Sequence, residues 1–260
     1  MKLNENYIRK MIEDGSRPDG RNFDQYREIS VKTGVVSCAE GSAEVKFGKT
    51  RVIAGVKMSV GKPFPDSPNE GVLIVNAEFV PIASPTFEPG PPDENAIEMS
   101  RTIDRAIRES KTIALEKLCI EPKEKVWMVN VDINIIDHDG GLIDAGSLAA
   151  MAALITARIP KIVDERIVFG EYTGGLPLND MPTETSIGKI ADKLLIDTTF
   201  EEENALEARI TIGITQDGNI CAIQKGGSGY FTTEELFKAA EIAIAKSEEL
   251  REYLKSLSSP

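Results

Sequence analysis

Residues 145–159, AGSLAAMAALITARI, constrain the fold more than any other stretch of this chain. They are rich in alanine, apolar on almost every face, and carry one charge, Arg158. A helix of this kind has no side to give to water, so it belongs at the centre with other elements packed around it. Just before it stands Asp137-His138-Asp139-Gly140-Gly141-Leu142-Ile143-Asp144. A strand pattern over residues 125–137 leads into that Gly-Gly turn. Strand, glycine turn and helix together can aim backbone N–H groups at an anion. A bare strand-to-helix turn needs the same glycines for its geometry alone, and Asp144 would repel a phosphate.

The rest of the chain supplies partners for the central helix. Residues 5–14 read as a short helix, followed by a turn at Arg17-Pro18-Asp19-Gly20-Arg21. Strand-like runs cover residues 29–36, 42–47, 51–60 and 72–80, with a tight hairpin at 47–51. Residues 83–93 hold four prolines and a glycine, and show no helix or strand period. Asp93 is a suitable N-cap for a long helix over residues 94–118, with apolar Met99, Ile103, Ile107, Ala114 and Leu118 at helical steps. Residues 170–182 contain Gly174, Gly175, Pro177 and Pro182 and read as the link into a second half. That half has strands at 193–197, 205–214 and 219–224. A final amphipathic helix covers 233–254, capped by Thr232 or Thr233. The expected class is α+β: two mixed α/β halves, residues 1–170 and 171–260, with helices packed on sheets.

Composition narrows the chemistry. No run of 18 apolar residues occurs, so no membrane span is expected. The first residues lack an apolar signal core, which leaves the cytoplasm as the expected location. Cys38, Cys119 and Cys221 stand far apart and His138 is the only histidine, which gives neither a disulfide framework nor a metal cage. The net charge of −12 argues against a free-standing nucleic-acid binder. An acidic chain can still hold RNA where a few arginines cluster and a partner supplies the rest.

Such a cluster exists. Arg101, Arg105 and Arg108 fall within roughly 60° of one another on the long helix, opposite its apolar stripe. Three guanidiniums on one face could grip successive phosphates. The pairs Asp104–Arg108 and Arg105–Glu109 could equally serve only to stabilise a solvated helix. Glu201-Glu202-Glu203 could hold a metal or be an exposed acidic loop. Gly226-Gly227-Ser228-Gly229 fits neither a Walker loop nor a dinucleotide fingerprint, and reads as a turn.

Several segments together resemble the RNase PH superfamily, over almost the whole chain. They are Arg17-Pro18-Asp19-Gly20-Arg21; Gly41-Ser42-Ala43 with the hairpin after it; Phe87-Glu88-Pro89-Gly90-Pro91-Pro92-Asp93-Glu94-Asn95-Ala96-Ile97-Glu98; Asp139-Gly140-Gly141 with the alanine-rich helix; and Leu195-Ile196-Asp197. Within that superfamily the chain is similar to the non-catalytic RNase-PH-like subunit of the archaeal exosome ring. The resemblance implies the RNase PH fold, whose N-terminal part is like ribosomal protein S5 domain 2.

Active members of the superfamily shorten RNA from its 3′ end with inorganic phosphate. In them Thr or Ser and then Arg follow the Gly-Gly turn and hold the phosphate. Here those places carry Leu142 and Ile143. Active members also have two Asp six residues apart; here these places carry Glu203 and Arg209. The resemblance therefore implies a subunit with no catalytic residue, no metal and no cofactor of its own. It implies a hexameric ring, a trimer of heterodimers with an active RNase-PH-type subunit, and RNA-binding cap subunits with OB and KH domains. It places single-stranded RNA on the long helix, at Arg101 and Arg105 first and Arg108 after them. The alternatives are a phosphorolytic exoribonuclease active by itself and a purely structural ring subunit without RNA contact.

Overall fold

The alanine-rich helix lies between two sheets, which is why almost all of its surface is apolar. A computed structural model describes residues 2–164 and 166–257. In chain order the elements are α1 (Lys2–Glu13), β1 (Ile29–Thr33), β2 (Gly41–Phe47), β3 (Thr50–Gly61), β4 (Val72–Phe79), α2 (Glu94–Glu109), β5 (Cys119–Glu121), β6 (Lys125–Asp137), α3 (Leu142–Thr156), β7 (Arg158–Val163), β8 (Arg166–Gly175), β9 (Thr183–Ile190), β10 (Lys193–Ile196), α4 (Phe200–Glu203), β11 (Ala208–Ile214), β12 (Ile220–Gly226) and α5 (Thr233–Lys255). A short 3-10 turn covers Leu115–Leu118.

The first sheet runs β1-β2-β3-β6-β4, with β5 paired to β6. All its pairings are antiparallel except β4 with β6. The second runs β10-β9-β11-β12 and is antiparallel throughout. Helix α3 packs on β2 and β3 of the first sheet and on β9 of the second. Its approach to β2 is close enough that a Cβ on Gly41 would collide with the Ala153 carbonyl. Helix α2 touches β4 and β12, the edge strands of the two sheets, and so spans both. One apolar core, including Phe47, Met99, Ile133, Leu148, Met151 and Ile212, runs through all these layers. No described helix is long and apolar enough to cross a membrane.

The largest departures from the expected extents are these. The long helix ends at Glu109 instead of 118. Lys111 turns left-handed (φ 53°), Ile113 bridges to Leu178, and Ala114 donates to the Pro177 carbonyl at 2.9 Å. Ala114 and Leu118 keep a helical spacing but are buried in the core from backbone beyond the end of α2, Leu118 from the 3-10 turn. Helix α3 covers Leu142–Thr156 rather than 145–159, because residues 158–163 form β7. Much of the stretch read as a link is β8, which shortens the connection to 176–182. Strand β9 was not expected at all. Its Thr183, Glu184 and Thr185 are all buried, so its polar run does not alternate with solvent.

Candidate functional site

The Gly140–Gly141 turn is where the two halves meet the start of α3. Both glycines have positive φ (79° and 66°), and a Cβ on Gly140 would strike the Thr198 carbonyl. The turn is clamped from outside. Arg27 donates to the carbonyls of Asp139 (2.6 Å) and Gly140 (3.2 Å), and the Thr50 hydroxyl donates to Gly140 (2.6 Å). Arg27 in turn is held by Asp197, Nη2 to Oδ1 at 2.6 Å, and Arg21 reaches the other oxygen of Asp197 at 2.9 Å. Burial works against the charge of Arg27, but its hydrogen bonds and charge pairing with Asp197 prevail and raise its pKa. Arg17, fully buried, forks onto Glu202 at 2.9 and 2.7 Å. The Arg17–Arg21 turn and the following Arg27 therefore tie the N-terminal segment and the Gly-Gly turn to Asp197 and α4. The sequence singled out that turn without assigning it this role.

The anion seat at the turn is filled by the protein itself. The Gly141 N–H donates to Glu203 Oε1 at 2.9 Å. Burial of that carboxyl raises its pKa to about 7, although the Gly141 bond and the nearby arginines favour its charge. Leu142 and Ile143 occupy the next two positions, with Ile143 buried. Asp144 follows, fully buried, and accepts from the Ser186 N–H with both oxygens at 2.9 Å. Burial lifts Asp144 to about 7 as well. The first turn of α3 thus presents two alkyl side chains and a carboxyl where an anion would need donors.

Arg209 does not pair with Glu203. It makes an ion pair with Glu98 of α2 at 2.9 Å, and its buried Nε has no acceptor. These residues line a cleft of about 320 Å³, together with Phe79, Phe87, His138 and Phe200. The acidic run 201–203 is neither a loose loop nor a converging ligand set: Glu202 is spent on Arg17 and Glu203 on Gly141. Among the described residues, no three His, Cys, Asp or Glu side chains group as ligands for a metal ion.

Arg101, Arg105 and Arg108 are all exposed on α2 but differ in commitment. Arg108 is bound by both oxygens of Asp104 (3.1 and 2.7 Å) and donates to the Leu73 carbonyl at 3.1 Å, so it fastens α2 to β4. Arg105 reaches across to Gln224 on β12 at 3.1 Å. Arg101 makes no hydrogen bond or ion pair among the described residues. Gln224 is a neighbour that spacing along one helix could not reveal.

The chain matches known proteins along most of its length. Residues 25–160 match RNase PH, the 3′ exoribonuclease family, domain 1, and residues 180–246 match domain 2 of the same family. It is 48% identical over 256 residues to the exosome complex component Rrp42 of Methanothermobacter thermautotrophicus, covering 97% of this chain and 94% of that one. It is 49% identical over 248 residues to the Rrp42 component of Methanopyrus kandleri, covering 94% and 93%. Among solved structures, a chain of the Archaeoglobus fulgidus exosome with RNA bound to the active site superposes with a TM-score of 0.92 at 44% identity, covering 97% of this chain and 98% of that one. A chain of an archaeal exosome core superposes at 0.88 and 40% identity, covering 98% and 97%.

Proposed function

This chain belongs to the RNase PH 3′ exoribonuclease family, and on that premise we propose that it is a non-catalytic subunit of an archaeal exosome ring. It shapes an active RNase-PH-type neighbour and holds single-stranded RNA on its way to that neighbour's site. The observation that carries this reading is the filled seat: the Gly141 N–H binds Glu203, and Leu142 and Ile143 stand where phosphate donors would be. Phosphoryl transfer depends on positioning and charge stabilisation. A pocket that offers an incoming phosphate buried carboxyls and alkyl groups supplies neither.

RNA contact falls to Arg101 and Arg105, with Arg108 secondary because Asp104 and Leu73 already hold it. The contacts are to phosphates, so they are independent of sequence and weaken with salt. The subunit pairs with the active one, three such pairs close the hexamer, and caps with OB and KH domains sit on one face. The cytoplasm is the site of action. Co-expression with the active subunit tests the assembly: a single hexameric mass supports it, and failure of the two to associate contradicts it.

The same two arginines provide the test against a purely structural role. In the assembled ring, Arg101→Glu with Arg105→Glu should weaken single-stranded RNA binding at least about tenfold at low salt. Unchanged affinity would reduce the arginine face to a solvated helix.

A further inference from the structure

The cleft that cannot seat an anion has other equipment. Four half-buried rings from four parts of the chain form one of its walls. Phe79 at the end of β4 lies 4.8 Å from Phe87 of the proline-rich loop, centroid to centroid. Phe87 stacks on His138 at 5.2 Å and 14°. His138 meets Phe200 of α4 edge-on at 5.0 Å. The His138 ring is held in place because its Nδ1 accepts from the Gly140 N–H at 3.2 Å. Burial lowers the pKa of this imidazole, so the wall is uncharged at neutral pH.

The cleft also has polar lining. Asn95 and the Glu98–Arg209 pair line it, and the buried Arg209 Nε is a donor still without an acceptor. Asp144 and Glu203 lie at the bottom. An aliphatic ligand would strand these groups without partners. A phosphate would meet two carboxyls and find the turn's N–H already used. A flat, uncharged heteroaromatic ring with donors and acceptors on its edge satisfies both kinds of lining. The cleft, at about 320 Å³, lies at the small end of the roughly 300–1,000 Å³ usual for small-molecule sites.

We propose that this cleft binds one unpaired nucleobase, held among the Phe87, His138 and Phe200 rings and hydrogen-bonded by Asn95, Glu98 and Arg209. None of Arg101, Arg105 and Arg108 lines the cleft, and every lining residue comes from this chain. Stacking on aromatic side chains is tolerant of base identity, and the polar edge adds preference among bases.

The full chain, without partner, is titrated with guanosine, adenosine, cytidine, uridine and, separately, orthophosphate. His138 is the only histidine in the sequence, so its ring resonances report on the cleft without ambiguity. At least one nucleoside should shift them saturably at millimolar concentration or below, and orthophosphate should not. Phe87→Ala should weaken that binding at least about fivefold. Phe87→Tyr, which keeps the ring, should retain it within about twofold. No saturable shift with any nucleoside would overturn the proposal. So would unchanged affinity in a folded Phe87→Ala chain, or a shift by orthophosphate alone. If Phe87→Ala does not fold, loss of binding in folded Phe87→Tyr overturns the proposal, and retention upholds it.

Discussion

At the scale of single residues, what decides a role is whether a charged group is already spent inside the chain. Arg108 is spent on Asp104, Arg105 is shared with Gln224, and Arg101 is uncommitted. Each phosphate contact to a single strand adds about 0.7 to the slope of log affinity against log salt. Arg101→Glu with Arg105→Glu should therefore lower that slope by about 1.4, whereas Arg108→Gln should change it little. The Arg17–Glu202 pair is spent completely. Glu202→Ala leaves a fully buried guanidinium without its carboxylate and should cost roughly 3–5 kcal/mol, read from denaturant midpoints. Glu184 is a third case. Neither of its oxygens has a hydrogen-bond partner; nearby Ser147 favours its charge but falls short of hydrogen-bond geometry. Burial, reinforced by Asp144 and opposed by Arg105, raises its pKa from 4.5 to about 8. The folded chain therefore holds this proton more tightly than the unfolded chain between those values. Stability contributed by Glu184 is highest below pH 4.5 and falls as pH rises to about 8. Glu184→Gln should remove that fall, a difference of roughly 3–5 kcal/mol in unfolding free energy between pH 5 and 8.5. The arginine face was legible from spacing alone. Its unequal commitment was not, because Leu73 and Gln224 come from other strands.

At the scale of elements, sequence pattern served best where one physical demand dominated. Helix α3 has every face against protein, and its composition says so directly. Leu148→Ala would open a cavity between two sheets and should destabilise the chain by about 2–5 kcal/mol, measured by thermal or denaturant unfolding. The pattern misled where tertiary contacts replaced a local period. Ala114 and Leu118 continue the apolar steps of α2, but the chain has already turned at Lys111 to pair with Leu178. Strand β9 was hidden for the opposite reason. Its Thr185 and Ser186 hydroxyls meet Tyr26 and Thr211, and the Ser186 N–H donates to Asp144, all on other elements, while Glu184 is left without a hydrogen-bond partner. Nothing in residues 183–190 alone announces those partners. The Gly-Gly turn was legible as a turn, and the absence of phosphate donors after it was legible from Leu142 and Ile143. That Glu203, sixty residues later, occupies the Gly141 N–H required the fold.

At the scale of the whole molecule, the proposed role fits an acidic chain to RNA by division of labour. Three of its arginines are turned inward: Arg17, Arg21 and Arg27 gather around Asp197 and Glu202. Arg101, uncommitted, and Arg105, shared with Gln224, are exposed on α2, which touches the edge strands β4 and β12. The proposed inactivity rests on the pocket beside the Gly-Gly turn, where Leu142 and Ile143 follow the turn and Glu203 takes the Gly141 N–H. The direct measurement is orthophosphate-dependent release of nucleoside diphosphates from the 3′ end of an RNA, by this chain alone and by the chain assembled with its active partner. Release by the assembly and none by the chain alone is the expected result. Sustained turnover by the purified chain alone would contradict the account at its centre.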